Sequence, residues 1–258
     1  MPAAIRIAVA DQKRTSPGDR RDMVKERARV IARGPVDQYG CVRWCPEELP
    51  AGETEATLDE IKRQLCNMYS EEGMGGSERA EPLMEKTYII QRRYLNSLPA
   101  PDIEGIKGEW PFLFSQRGLY SHFGLLTDIS ILMKLQEALN NKGSTVIRFC
   151  QELNRHPGIE DILANYVPEP CATVADVQRT MELPSTPYLI VQGDMMNPKA
   201  WMLCIDQVVV MGPHDHFVQG VAALFASYYA FNLHYPEHGS STLEFIQRNV
   251  NTVEVSSL

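Results

Sequence analysis

Histidines near the start of a C-terminal helix have the spacing that best suits metal chemistry. His214–His216 contains an H-x-H pair, and His234 with His238 forms an H-x3-H pair. Imidazoles are common ligands of zinc and copper. The first pair, however, lies where Asp215 can cap a predicted helix, and the second spans Pro236 rather than a helical turn. Surface histidines are the favoured interpretation, and no metal or cofactor is predicted.

Cysteine spacing gives a second candidate for metal binding. Cys41 and Cys45 form a C-x3-C pair, but no second ligand pair follows at zinc spacing. The six cysteines are scattered along the chain, which is typical of free thiols rather than of a disulfide framework. Loop or core cysteines are therefore favoured over a zinc site.

No stretch of the sequence specifies a reaction. The chain has no G-x-S-x-G motif, and Ser241 fits better as a helix cap than as a nucleophile. The glycine-rich stretch EEGMGGSE lacks the Gly-Lys-Ser/Thr ending of a phosphate loop and is expected to be a flexible connection. The sequence thus disfavours an enzyme, leaving as an alternative a site assembled from distant residues.

Positive charge is concentrated at the N-terminus. Residues 1–45 contain ten Lys and Arg and five Asp and Glu, a net charge of +5, so the other 213 residues carry −13 of the total of −8. The candidate nucleic-acid contacts are Arg20, Arg21, Lys25, Arg27, Arg29 and Arg33. A basic arm can neutralise phosphates or act as a nuclear-import signal. A solvated tail is the alternative, because acidic residues interrupt the run and it has no aromatic for base stacking.

Composition bounds the class of protein. With 258 residues, 44% of them hydrophobic, the chain can form one large or two small globular domains. It contains no run of about 18 apolar residues to span a bilayer, and the first residues lack the apolar core of a signal peptide. We expect an intracellular protein without a membrane segment, in the nucleus or the cytoplasm.

Residues 54–182 show helical periodicity only. A capping-box pattern starting at Thr57 predicts a first helix that buries Leu58 and Leu65, and a second helix is predicted over Pro82–Leu98. The aromatic run Trp110–Phe114 is expected to be a packing anchor, with a partner-binding surface as the alternative.

The longest helical pattern follows this aromatic run. It covers Ser115–Asn140, with Asn141–Gly143 as its predicted end and Ser144 or Thr145 as the cap of the next helix. Thr173 with Asp176 is expected to open a last short helix.

The pattern then changes to short apolar runs. Three strands are predicted over Tyr188–Val191, Ala200–Ile205 and Val208–Met211, followed by a helix from Phe217. Asn232–Tyr235 is a candidate fourth, edge strand. Gly193-Asp194 and Asn197-Pro198 are expected to turn the first strand into the second, Asp206-Gln207 the second into the third, and a further helix to start near Ser241.

These elements predict an α+β fold, in which a helical region precedes a small antiparallel meander of three or four strands packed with two helices. The predicted division is a basic, turn-rich and largely disordered arm at 1–53, a helical region at 54–182, and the meander with its helices at 183–258. The last two regions form either one domain or two.

Several segments resemble a known family. The runs TPYLIVQGDMMNPKAWMLCIDQVVVMGP, FVQGVAALFASYYAFNLHYP and EWPFLFSQRGLYSHFGLLTDI are similar to the C-terminal region of uncharacterised fish proteins often labelled sterile alpha motif domain-containing protein 3-like. The likeness covers residues 38–250 in order. It implies a C-terminal region of longer proteins, although those proteins tend to have an additional apolar segment between Leu153 and Thr173. No catalytic residues are known for the family, so the resemblance assigns none.

Two functional hypotheses follow. Because the distinctive features are apolar patterning, caps and turns, the leading hypothesis is a non-enzymatic protein-interaction or scaffold module with an unknown protein partner. The alternative is a nucleic-acid-associated or mobile-element-derived protein that uses the basic N-terminal arm.

Overall fold

The computed structural model of the protein describes residues 42–153, 173–181, 183, 185–194, 197–236 and 240–250, and it shows an α+β fold. The helical part comprises α1 (Glu55–Glu72), α2 (Ser77–Lys86), α3 (Tyr88–Leu95), α4 (Ile103–Glu109), α5 (Gln116–Thr127), α6 (Ile131–Leu153) and α7 (Val174–Thr180). A meander of β1 (Tyr188–Asp194), β2 (Asn197–Ile205) and β3 (Val208–His214) follows, and then come α8 (Phe217–Ala230) and α9 (Ser240–Val250). Among the described helices, none combines the length and apolarity that crossing a bilayer requires.

Helix α1 begins one turn earlier than predicted. Thr54, not Thr57, is the N-cap: its hydroxyl accepts from the backbone N–H of Thr57, whose own hydroxyl accepts from that of Thr54. This reciprocal pair satisfies two of the amide donors that a helix start leaves free. Leu58 and Leu65 are buried, as predicted.

The glycine-rich stretch after α1 is ordered into a short 3-10 helix. Gly73–Gly76 forms this turn and leads directly into α2, so the expected loop is absent. Gly76 is buried against Met68: a Cβ at Gly76 would lie 3.0 Å from the Met68 Cγ. The glycines therefore permit a tight helical connection.

The single helix predicted over Pro82–Leu98 is wrong. Two helices, α2 and α3, meet at Thr87, whose hydroxyl donates to the Leu83 carbonyl at 2.8 Å. Pro82 lies inside α2 rather than at its start. Leu98 falls beyond α3 and is 81% exposed, because the buried face ends at Leu95.

The predicted long helix is also divided. Asp128 adopts a left-handed conformation with φ of 59° and ends α5. Helix α6 then continues to Leu153, so Asn141–Gly143 lies inside a helix rather than ending one, and the predicted cap at Ser144 or Thr145 is wrong. Met133 and Leu139, which belong to the apolar face of the helical pattern over Ser115–Asn140, are exposed.

The aromatic run Trp110–Phe114 is buried throughout, which confirms the predicted packing anchor. It joins α4 to α5 through a 3-10 turn and reaches the C-terminal part of the chain, where the Phe114 ring stacks on Phe231 at a centroid distance of 5.1 Å. Phe123 of α5 packs on Phe225 and Tyr229 of α8 at 6.0 and 5.2 Å. Aromatic pairs of this kind add stabilisation beyond their buried area.

The sheet is antiparallel in the order β1-β2-β3, confirming the meander. Asp206 and Gln207 have φ of 50° and 65°, the left-handed pair that a tight hairpin requires, so this predicted turn is also confirmed. Gly193-Asp194 and Asn197-Pro198 lie within the paired strands instead of forming the turn. Asn232–Tyr235 is not a strand, and the described residues contain a sheet of three strands only.

Both faces of β2 are covered. Trp201, Leu203 and Ile205 face the main core with α8, whereas Met202 and Cys204 face a smaller cluster that includes Val177 of α7. This alternation follows from the two-residue period of a strand. All five residues are essentially inaccessible, so the sheet lies between helices rather than on the surface.

One glycine sets the distance between sheet and helix. A Cβ at Gly220 of α8 would lie 2.8 Å from the Trp201 ring, closer than real contacts allow. The absence of a side chain lets the helix backbone approach the indole, whose Nε1 donates to the Asp215 carbonyl at 2.6 Å.

The main core is a single cluster that includes residues from the sheet and from every described α-helix except α7. The segment before α1 contributes too, since Val42 is buried and Trp44 packs on Tyr88 with ring centroids 6.2 Å apart. The domain boundaries at residues 53 and 182 stay predictions.

Candidate functional site

The histidines singled out for metal chemistry do not form a metal centre in the part of the chain that the structure describes. His214 ends β3, half-buried against the Trp201 ring at 5.1 Å, and this burial lowers its pKa. His216 is exposed and is itself the N-cap of α8, without a side-chain cap, so the predicted cap at Asp215 is wrong. His238 lies outside the described residues. No group of three or more described His, Cys, Asp or Glu residues could hold a metal ion.

Cys45, Cys66 and Cys204 are free thiols with little thiolate character. Cys45 and Cys66 are half-buried and Cys204 is fully buried. Burial raises the pKa of each, that of Cys204 to about 11. Because the thiolate is the nucleophile and the metal ligand, these positions are poorly suited to either role. Cys41, the partner of Cys45 in the C-x3-C pair, lies outside the described residues.

The six basic residues proposed for nucleic-acid contact also lie outside the described residues. They are Arg20, Arg21, Lys25, Arg27, Arg29 and Arg33. Their role stays a prediction.

The main polar centre of the described chain is one that the sequence analysis missed. Arg92 of α3 is completely buried. Its Nε donates to the Trp44 carbonyl at 3.1 Å, and Nη1 donates to the Ala230 carbonyl, in the last turn of α8, at 2.9 Å. Its Nη2 donates to the Val42 carbonyl and to the side-chain oxygen of Asn232, the latter at 3.0 Å.

Arg92 and these acceptors come from three distant parts of the chain. Val42 and Trp44 belong to the segment before α1, Arg92 to α3, and Ala230 to α8. A guanidinium offers five donors in a fixed plane, so one side chain can fasten several backbone segments together. The carbonyl at the C-terminal end of α8 also carries part of the negative end of the helix dipole. Arg92 therefore acts as a structural tie.

A buried histidine completes this network. His122 of α5 lies between Gln91 Oε1, 3.0 Å from its Nδ1, and Arg92 Nη1, 3.5 Å from its Nε2. Arg92 is only a donor and Gln91 Oε1 only an acceptor, so the proton of the neutral imidazole is on Nδ1. Gln91 is in turn fixed by its Nε2, which donates to the Met84 carbonyl at 2.7 Å and to the Thr87 hydroxyl at 2.9 Å.

This environment keeps His122 neutral. Desolvation by burial, followed by the charge of Arg92, holds the pKa of the imidazole well below its ordinary value. Both ring nitrogens are engaged and the side chain is only 2% exposed. The residue has the pKa shift often found at a catalytic base, but no route to a substrate, so it contributes to structure.

The sequence contained a signal for Arg92. It follows Tyr88 by four residues and precedes Leu95 by three, so it shares their buried face. Its neighbour Arg93 is on the exposed side, paired with Glu55. Helical phase alone could have placed Arg92 inside, but its acceptors could not have been named from sequence.

The surface feature with binding potential is a groove of about 570 Å³ beside β3, hereafter the β3 groove. One wall is formed by Val209–Gly212 and His214 of β3. The opposite side is formed by Met74, Ser77, Lys107 and residues 114–117 around the start of α5, and Val174 of α7 closes one border. The groove thus lies where the helical part meets the edge of the sheet.

The charge of the β3 groove is opposite to that of the chain as a whole. Its lining contains Lys107 and Arg117 but no Asp or Glu, although the chain carries a net charge of −8. Arg117 Nη1 pairs with Glu81 at 2.9 Å, whereas Lys107 makes no ion pair with another described residue. The floor is apolar, with Phe114, Val210 and Met211. A ligand with acidic and apolar groups would match this surface.

Comparisons with known proteins identify no relative. No protein-family model matches the chain, and neither the curated proteins nor the solved structures give a match.

Proposed function

We propose that this chain is a non-enzymatic, intracellular protein-interaction module that binds a protein partner through the β3 groove. The observation that carries the proposal is the groove itself, an apolar cleft with a cationic rim on a chain that is otherwise acidic. Concave apolar surfaces with a few polar groups are preferred binding sites. The proposal includes kinship with the C-terminal region of the fish family, based on the segments quoted above.

The use of the buried polar groups supports an interaction module over an enzyme. Arg92, Gln91 and His122 form hydrogen bonds with one another and with backbone carbonyls. A general base needs access to the proton that it removes, and a nucleophile needs an activating neighbour within hydrogen-bond reach. The described part of the β3 groove contains neither arrangement, since His214 is its one imidazole and the hydroxyls of Ser77 and Ser115 donate to backbone carbonyls instead.

The test is an affinity purification with paired charge variants of the full chain. Lys107→Glu with Arg117→Glu reverses the rim of the groove. The matched control, Lys134→Glu with Arg63→Glu, changes the net charge equally at two surface positions outside the groove, each side chain being ion-paired within its own helix.

The extracts are treated with nuclease, and captured proteins are quantified by mass spectrometry. The proposal expects a stoichiometric protein partner bound by the wild type and by the control. The absence of any nuclease-resistant stoichiometric partner would refute the proposal.

A second candidate function rests on the charge of the N-terminal residues. A protein that uses the six arm residues to bind DNA or RNA would lose affinity steeply with salt and on deletion of residues 1–33. Binding measured by fluorescence anisotropy between about 50 and 200 mM salt tests this, and a salt-insensitive affinity would exclude it.

A further inference from the structure

We infer that the β3 groove receives a short, extended, acidic segment of a partner protein, which pairs with β3 as an added strand. This inference rests on the proposed function and names the kind of partner that the same site fits.

Strand β3 lies at the edge of the described sheet. The sheet order β1-β2-β3 leaves β3 with one paired side, and no other described backbone group bonds to its second side. The wall of the groove includes four consecutive residues, Val209–Gly212. Val209 belongs to the smaller cluster on one face of the sheet, whereas Val210 and Met211 belong to the main core on the other, so a cleft that touches all three lies at the strand edge. An extended peptide in that cleft is placed for main-chain hydrogen bonds.

The pairing of β3 with β2 is irregular, and this disfavours pairing of β3 with a second copy of this chain. The register shifts twice: Cys204 pairs with Val209 but Leu203 with Met211, and a further shift follows before His214. Val210 is thus an extra residue, and it joins Met211 on the face of the main core. Bulges and an edge proline, here Pro213, oppose the long, flat pairing by which identical edges associate. A short partner segment can still pair.

The positive charge of the groove favours an acidic partner segment over a second copy of this chain. Two copies joined edge to edge would bring both pairs of Lys107 and Arg117 together, which is unfavourable. Carboxylates on the added strand would instead face these two cations across a lining free of Asp and Glu. Apolar residues of the same strand would alternate with them and contact Val174, which packs on the smaller cluster at the opposite face of the sheet. The matching sequence therefore alternates acidic and apolar residues.

The direct test uses synthetic peptides on the full chain. The probe is an eight-residue peptide of alternating valine and glutamate, and its control has lysine in place of glutamate. The inference expects the acidic peptide to bind at least about tenfold more tightly, since opposite charges attract and like charges repel across a strand pair. It also expects binding to weaken about tenfold in the Lys107→Glu, Arg117→Glu variant and to stay within about twofold in the Lys134→Glu, Arg63→Glu control.

Two further readouts identify the binding mode. Backbone N-methylation of alternate residues on the pairing side of the acidic peptide should abolish binding, because strand addition needs those N–H groups. Hydrogen exchange of the β3 amides should slow when the peptide is bound. Equal binding of both peptides, no binding of either, or binding that survives methylation on both sides would each overturn the inference, as would concentration-dependent self-association through β3.

Failure of this inference differs from failure of the proposed function. If the Lys107→Glu, Arg117→Glu variant loses the captured partner but the acidic peptide does not bind the wild type, the interaction module at the β3 groove stands and strand addition does not. If the wild type and this variant retain the partner equally, the groove is not the binding site and both fall. If no protein partner is found, both fall.

Discussion

Replacing Arg92 by methionine removes the donors that join three parts of the chain while keeping an unbranched side chain of similar length. Three backbone carbonyls would lose their guanidinium donor: those of Val42, Trp44 and Ala230. The side-chain oxygen of Asn96 would keep a donor, since Asn232 Nδ2 lies 2.8 Å from it. The lost hydrogen bonds are therefore mainly those to backbone carbonyls, which no substitution can remove.

The magnitude follows from those acceptors. A buried acceptor left without a donor costs about 1–3 kcal/mol, so three of them set a scale of several kcal/mol. Removing a buried charge returns part of this, because desolvating an ion is itself unfavourable. We expect a net loss of about 3–5 kcal/mol in the free energy of unfolding, the lower part of the roughly 3–9 kcal/mol that three such acceptors would cost together. That is a large fraction of the roughly 5–15 kcal/mol typical of folded domains.

The assay is guanidinium unfolding followed by the fluorescence of Trp44, Trp110 and Trp201. Arg93→Met is the matched control, since Arg93 is the next residue of α3 but is exposed and paired with Glu55. Its loss should change the free energy of unfolding by less than about 1 kcal/mol. Arg92→Lys should fall between the two, because an ammonium keeps the charge but cannot reach all the acceptors at once.

The reasoning would be refuted by an Arg92→Met protein within about 1 kcal/mol of the wild type, with an unchanged dependence on denaturant. Such a result would mean that the desolvation cost of the guanidinium equals all that its hydrogen bonds contribute. An Arg93→Met effect as large as that of Arg92→Met would also refute it, since the loss would then be general to α3.

Three other substitutions and measurements probe the core. The pKa of His122 is lowered in the folded state, so the stability that its neutral form contributes is complete above the unfolded pKa of about 6.5. As the pH falls below that value, the free energy of unfolding should decrease by at most about 1.4 kcal/mol per pH unit. Unfolding titrations from pH 7 to 5 should show this slope in the wild type and a smaller one in His122→Asn. Gly220→Ala should destabilise the protein by about 1–3 kcal/mol in thermal or chemical unfolding, because the added Cβ would overlap the Trp201 ring; an unchanged melting temperature would show that the sheet and α8 can separate without loss. Cys204 should resist alkylation at pH 8 in the native state and react after unfolding, since burial raises its pKa to about 11, and rapid native labelling found by peptide mapping would contradict its placement in the sheet.

Local patterns predicted much of the fold. The alternation in Trp201–Ile205 and the Asp206-Gln207 turn placed the meander, and the side chain of Thr173 caps α7 as predicted. Each of these depends on interactions within a few residues, such as a side chain bonding to a backbone N–H three positions away. Where a prediction failed, as at Asp128, a continuous apolar period hid a backbone break that the surrounding packing selects.

The candidate site was harder to predict from the sequence. The β3 groove combines Met74, Lys107, Phe114 and Val174 with the edge of β3, and these residues are far apart in sequence. The bulge at Val210 decides which side chains face the cleft, yet nothing in the run VVVMGP marks it. The basic arm was visible in the sequence, and its role stays a prediction.

The sequence by itself determined that a helical region precedes a three-stranded meander and a further helix, because hydrophobic periodicity, capping residues and turn residues act over short distances along the chain. Only the tertiary structure decided that Arg92 would be buried and shared between segments, since its bond to the Ala230 carbonyl joins residues 138 positions apart. It alone decided, too, that β3 would lie at the edge of the sheet formed by the described residues. Burial of a charge is tolerated only where distant groups arrive to satisfy it, and that convergence is a property of the folded chain rather than of any stretch of its sequence.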